Sequence, residues 1–256
     1  MPLDKIIVPF QVDSPWGHWE TTKTGVCFHL KDHLVIDGGL SFENISEPFT
    51  LVVGANTHVH VLNQGRLSNC HIGYNARVIH SGTVRTGYFS LAEKAILQHK
   101  STIQSFEEDT CVGIDLLGKG ARVEWGDGAV LPDNVTYNYT VKINHMASET
   151  CSRCCLKSIL QGKSHLVYAC DIFVHENAPN STAHQKNLNH ILTPMGKVTA
   201  SPRLHILNRN VKASHGTATQ PIPDEVLFYL RSRGLTLEAS KQLYLQSFLD
   251  DFPSFL

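Results

Sequence analysis

The triplet Ser214-His215-Gly216 places one imidazole between two small neighbours, which leaves the ring approachable. A neutral imidazole is a ligand for transition metals such as iron. The same ring at a polar strand edge also serves for hydrogen bonding alone, and the residue types leave both readings open. One imidazole does not fill a metal's coordination sphere, so the ligand reading needs further ligands from elsewhere.

Cys151-Ser152-Arg153-Cys154-Cys155, with His145 six residues upstream, is the second concentration of reactive types. Cys-x-x-Cys is a known ligand pair, but a structural zinc site needs four suitably placed ligands. On a strand, Cys151 and Cys154 point to opposite faces while Cys151 and Cys155 share one. The expected role of these thiols is therefore packing, as small apolar side chains. His58 and His60 share a strand face and, with His71 and His80, recur among early strands; no metal is assigned to them, and no intrinsic metal site is expected. Glu107-Glu108-Asp109 and Asp250-Asp251 read as solvated charge. The chain carries no phosphate loop, dinucleotide fingerprint or nucleophile elbow. It reads as a non-enzyme; the competing enzymatic reading is a carbohydrate-active protein using scattered carboxylates on a strand surface.

Composition narrows the partners. With 22 Lys and Arg against 23 Asp and Glu over 256 residues, no basic field points to nucleic acid. The apolar runs are far shorter than a membrane span. Met1-Pro2-Leu3-Asp4-Lys5 lacks the basic and apolar regions of a signal peptide, so the expected location is cytoplasmic. Seven cysteines, an odd number without framework spacing, fit reduced thiols.

These residues must be positioned by strands. From about Phe28 to Thr219 short strands follow one another, among them Leu34–Asp37, Phe49–Val53, Thr57–Val61 and Tyr137–Ile143. Turns are expected at Asp37-Gly38-Gly39, Asn63-Gln64-Gly65, Gly118-Lys119-Gly120 and Gly126-Asp127-Gly128. Small residues after turn residues recur at Ala55, Ala76, Ala95, Ala121 and Ala178, at intervals of 21, 19, 26 and 57 residues. The last interval is close to three times 19. A period near 20 reads as a parallel β-solenoid with small residues at its corners; a β-sandwich also spaces short strands this way. Before this region, Ile6–Phe10 and Pro15-Trp16-Gly17-His18-Trp19 offer bulky side chains to cover a first rung.

Two helices are expected at the end. Pro223-Asp224-Glu225 opens one, with Pro at the first helical position and acidic residues at the positive end. Arg231 and Arg233 fall in its last turn, and Gly234 suits a left-handed C-cap on which Leu235 folds back. Thr236 caps a second helix, in which Leu237, Ser240, Tyr244 and Phe248 share a side with Leu245 and Leu249 adjoining, and Pro253 ends it. The pair either caps the solenoid or docks a partner. Phe228, Tyr229, Arg231 and Arg233 supply anchor chemistry common at interfaces.

The box Lys212-Ala213-Ser214-His215-Gly216-Thr217-Ala218-Thr219, followed by Leu227-Phe228-Tyr229-Leu230-Arg231-Ser232-Arg233-Gly234-Leu235, closely resembles the C-terminal region of the SufB/SufD family of iron–sulfur cluster assembly proteins. The intact Ser-His-Gly is that of its SufD branch. Lys157–Ser164, Ile172–Ala178 and His184-Gln185-Lys186-Asn187 extend the likeness, which is good from about Thr140 to Asp251 and fainter before. The resemblance implies a mainly β fold, a right-handed parallel β-helix over 31–222 with a lead-in at 1–30 and a helical segment at 223–256. It implies a scaffold that pairs with SufB or with itself and docks the SufC ATPase through Phe228, Tyr229, Arg231 and Arg233. It also implies a transient iron–sulfur cluster at the subunit interface, near His215. Many SufD proteins carry a cysteine two residues before that histidine, where this chain has Ala213. The family's helical N-terminal domain is expected to be missing. A purely structural, degenerate member is the remaining alternative.

Overall fold

The computed structural model describes residues 5–8, 14–22, 25–42, 47–63, 67–103 and 105–251. In chain order the strands are β1 (Lys5–Ile7), β2 (Gly17–Thr22), β3 (Gly25–Leu30), β4 (Val35–Phe42), β5 (Phe49–Val53), β6 (His58–Asn63), β7 (Leu67–Ile72), β8 (Arg77–Ser81) and β9 (Thr86–Leu91). They continue as β10 (Ile96–Ile103), β11 (Thr110–Leu116), β12 (Arg122–Leu131), β13 (Thr136–His145), β14 (Cys151–Leu160), β15 (His165–Val174), β16 (Ser181–Ile191), β17 (Lys197–Ile206) and β18 (Val211–Gln220). Helices α1 (Asp224–Ser232) and α2 (Leu237–Asp250) follow.

From β3 onward the chain alternates between two sheets strand by strand. Sheet A orders β1-β4-β6-β8-β10-β12-β14-β16-β18, and sheet B orders β17-β15-β13-β11-β9-β7-β5-β3-β2. The first end is closed by the antiparallel pair β2–β3, while the pairs that follow are parallel. Two facing sheets are thus present, but the coil of one continuous chain builds both, which makes this a parallel β-solenoid and not a sandwich. Trp19 joins Phe28, Phe42 and Phe49 in an aromatic cluster at that end.

Alternation dictates the interior. Along β15 every second residue is buried, and register stacks like on like: Val112, Val141 and Cys170, or Ile114, Ile143 and Ile172. Each fully buried aliphatic side chain contributes about 1.5–3 kcal/mol, and the stacked rungs bury a continuous core that no single rung could.

The corners are set by one repeated backbone device. Asn56, Asn75, Lys94, Gly120, Glu149 and Asn180 all adopt positive φ. Each is followed by a small residue that turns into the core: Thr57, Ala76, Ala95, Ala121, Thr150 and Ser181, all buried. The left-handed backbone N–H groups link successive corners, Asn56 to Tyr74 O at 2.8 Å, Asn75 to Glu93 O at 2.9 Å and Glu149 to Pro179 O at 2.9 Å. Asparagine tolerates this conformation better than most residues, and Asn75 also donates to the Asn56 side chain at 2.9 Å.

This ladder corrects the expected repeat. Ala76, Ala95 and Ala121 are corner residues, but Ala55 precedes the left-handed position and Thr57 occupies its place. The interval from Ala121 to Ala178 covers two rungs by way of Thr150, not three of 19. Rungs lengthen along the chain, from 19 residues between Asn56 and Asn75 to 31 between Thr150 and Ser181. Strands grow from five residues in β5 to ten in β15 as they do so.

Two expected turns are strand instead. Asp37-Gly38-Gly39 lies in β4, at a register irregularity between Val35 and Gly39. Gly126-Asp127-Gly128 lies inside β12, because Trp125, Asp127 and Ala129 are inward positions continuing the alternation. Gln64 and Gly65, Pro9 and Phe10, and Pro253 lie outside the described residues. Among the described residues no helix is long and apolar enough to cross a membrane.

Candidate functional site

Helices α1 and α2 do not cover the last rung. α1 is preceded by Pro223, which is its N-cap and not its first helical residue, and ends in a Schellman pair: Gly234 N–H to Arg231 O at 3.0 Å and Leu235 N–H to Leu230 O at 3.4 Å. Gly234 takes φ +93 there, and Arg233 stands at the C-cap with Arg231 alone in the last turn. Thr236 caps α2 by accepting from Ala239 N–H at 3.2 Å.

α2 lies on the outward face of sheet A. Its Leu249 is buried above Gly128, where a Cβ would meet Leu249 Cδ2 at 3.2 Å. Lys157 of β14 donates to Phe248 O at 2.8 Å and to Asp251 O, while its ammonium sits 5.0 Å from the Phe248 ring centroid. His190 of β16 stacks edgewise on Phe248 and Tyr244 and bonds the Tyr244 hydroxyl at 3.1 Å. Tyr244, Phe248 and Leu249 of the α2 stripe therefore pack on the solenoid wall, while Leu237 stays exposed.

That leaves two surfaces open. The first is α1, which buries none of its residues. Phe228 is 76% exposed and Tyr229 56%, with the Arg233 guanidinium 5.3 Å from the Tyr229 ring. Arg231 is exposed beside them. The second is the last rung, β17 and β18, where no residue is fully buried. Each strand pairs on one side only, β17 with β15 and β18 with β16, so each presents a free edge.

His215 lies at the middle of β18 and is exposed. Register places it on an inward line of sheet A that runs His80, His99, Trp125, Cys154, Gln185, His215. It reaches solvent because its line ends at the open rung. Ala213 precedes it by two on the same face, and Ser214 on the other face accepts or donates to His184 Nδ1 at 2.6 Å.

Beneath this line sits a buried polar knot that local sequence reasoning missed. Asp127 takes His99 Nε2 at 3.0 Å, Ser101 Oγ, Trp125 Nε1 at 3.0 Å and Tyr139 Oη at 2.5 Å. Burial alone would raise its carboxyl, but the His99 charge and the bonds from His99, Ser101 and Tyr139 hold it below the usual range. His80 approaches His99 at 2.7 Å, and burial together with that neighbour keeps it neutral.

The cysteines separate as strand parity demands. Cys154 points inward as a free thiol, and its hydrogen bond with the Cys170 thiol, together with burial, pushes its pKa far up. Cys151 and Cys155 point outward. Burial raises Cys155 to about 11, so it stays protonated at neutral pH. It lines a cavity of about 550 Å³ together with Lys100, Arg153, His184, Lys186 and Ser214. His145 is not part of the cysteine cluster: it bonds Thr150 at 2.8 Å and Ser152 at 2.7 Å inside the core. His58 and His60 share the outward face; His60 bonds Ser81 at 2.9 Å. Among the described residues, no three His, Cys, Asp or Glu side chains are grouped to hold a metal ion.

Comparison with known proteins bears on what such a surface does. Residues 49–248 match the family model described as SUF system FeS cluster assembly, SufBD core domain. That match starts well upstream of Thr140 and so includes the stretch in which the likeness is fainter. The chain is 27% identical over 203 residues to the iron–sulfur cluster assembly protein SufD of Escherichia coli, covering 78% of this chain and 45% of that protein. It is 26% identical over 204 residues to a SufBD family protein of Synechocystis, covering 73% and 44%, and 31% identical over 120 residues to one of Mycobacterium leprae. The matched region spans less than half the length of the first two relatives.

Proposed function

The chain belongs to the SufBD family of the SUF iron–sulfur cluster assembly system, and on that premise we propose that it is a non-catalytic scaffold subunit of that system. Its open last rung pairs edge to edge with a SufB-type subunit or with a second copy, and α1 docks the SufC ATPase. The carrying observation is that one end of the solenoid is left unsealed although two helices follow it directly. An exposed parallel edge is a template for adding a strand from another chain, and β17 and β18 offer two such edges at once.

His215 then lies at the seam. Its imidazole supplies one nitrogen toward the nascent cluster, which is the cargo of the assembly, and the partner supplies the other ligands. Ala213 adds no thiolate. Hydrolysis of ATP belongs to SufC, and its closure shifts the two scaffolds at their shared edge.

Docking is tested on α1. Changing Phe228 and Arg231 together to Ala removes an exposed aromatic anchor and a cation without touching a buried residue, so folding is unaffected. Capture of SufC by the tagged chain is expected to fall at least a hundredfold, in keeping with hot-spot losses of 2 kcal/mol or more per anchor. Undiminished capture would assign α1 no part in docking.

A further inference from the structure

Gln185 is buried, yet neither its Nε2 nor its Oε1 has a hydrogen-bond partner among the described residues. Its neighbours on the same inward face of β16 are satisfied. Asn187 and Asn189 bond each other at 2.8 and 3.1 Å, and Asn189 also takes Ser158 Oγ at 2.6 Å. A buried amide left unmatched at both ends is costly and calls for an explanation. Along its strand Gln185 meets Ala183 and Asn187 on that face, one apolar and one already engaged. Toward the interior its register partner is Cys154, whose thiol is hydrogen-bonded to that of Cys170. On the other side its register partner is His215, one strand spacing of about 4.8 Å away.

We propose that Gln185 is a positioning residue for His215: when the last rung is covered by its partner, the Gln185 carboxamide oxygen accepts one ring N–H of His215. The other ring nitrogen is then fixed as a lone pair aimed at the seam. This rests on the seam reading above and deepens it. The hydrogen bond at one nitrogen of an imidazole sets which tautomer is present and so which nitrogen can bind a metal. The amide is unmatched in the isolated chain because the ring is still solvated at an open edge. Covering the rung removes that water and makes the bond to Gln185 the ring's own best alternative.

The test uses the full chain assembled with its scaffold partner, without oxygen, with ferrous iron as the probe. In Gln185→Leu the unmatched amide is gone, so the thermal midpoint is expected to stay level or rise. Iron affinity is nevertheless expected to fall 10–100-fold, the usual cost of losing an outer-shell partner. Gln185→Glu keeps the acceptor and is expected to stay within a few-fold of the parent. Ring ¹⁵N shifts of His215 in the unaltered assembly should report one dominant tautomer, and a mixture in the Leu variant. Equal tautomer populations in the unaltered assembly would overturn the proposal, and that arm does not depend on any variant folding. Iron affinity unchanged by Gln185→Leu but lowered by His215→Ala would remove the positioning role alone. Iron affinity unchanged by His215→Ala would remove the ligand reading of His215 itself.

Discussion

Asp127→Ala is expected to destabilise the chain by about 3–5 kcal/mol, because several buried donors lose their acceptor at about 1–3 kcal/mol each. The change leaves His99, Ser101, Trp125 and Tyr139 without their common acceptor, deep in the solenoid. That is a large part of the roughly 5–15 kcal/mol that holds a typical domain folded. Asp127→Asn keeps one carbonyl oxygen and should cost less. The pH dependence has a definite sign. The Asp127 carboxyl is held below its ordinary value in the folded chain, so its stabilisation is present above about pH 4, where the unfolded carboxyl ionises. It fades as pH falls through the folded value. Denaturant unfolding at pH 7 should therefore separate parent from Asp127→Ala widely, and the gap should narrow in acid. A loss under 1 kcal/mol at pH 7 would mean the knot is not a structural keystone.

His215→Ala should do the opposite: nothing to the fold, much to the product. The ring is exposed, and truncating it to a methyl group removes no buried contact. Subunit assembly is expected to be intact, because edge pairing uses backbone groups. Cluster yield on the reconstituted complex should drop about tenfold or more, since even outer-shell changes cost that much at metal sites. Iron and sulfide content per assembled complex is the readout. Equal yield would take His215 out of the cluster site and leave it a polar edge residue.

The sequence made the frame of this molecule legible where local chemistry and final structure agree. Gly234 and Thr236 end and begin helices through their own backbone and hydroxyl, and neither needs a distant neighbour. Period-two alternation at Tyr137–Ile143 reports a strand for the same reason. What escaped depended on register. Asp127 between two glycines reads as a turn locally, yet its fate is decided by His99, 28 residues away, and Tyr139 on the opposite sheet. Gln185 is unremarkable in a polar run until pairing reveals His215 above it and Cys154 below. The stripe on α2 fits an end cap, a docking face or a side wall equally. Only the contacts of Lys157, His190 and Gly128 assign it to the wall. The repeat blurred because the rungs widen toward the C-terminal end, so no constant period exists to be found.

Backbone hydrogen exchange at β17 and β18, with and without the scaffold partner, tests the account at its root. The amides on the free side of 197–206 and 211–220 should exchange quickly in the isolated chain and become protected by at least tenfold on assembly, with α1 protected only when SufC is added. Assembly that leaves both strands exchanging as before, while protection appears elsewhere on the solenoid, would contradict it.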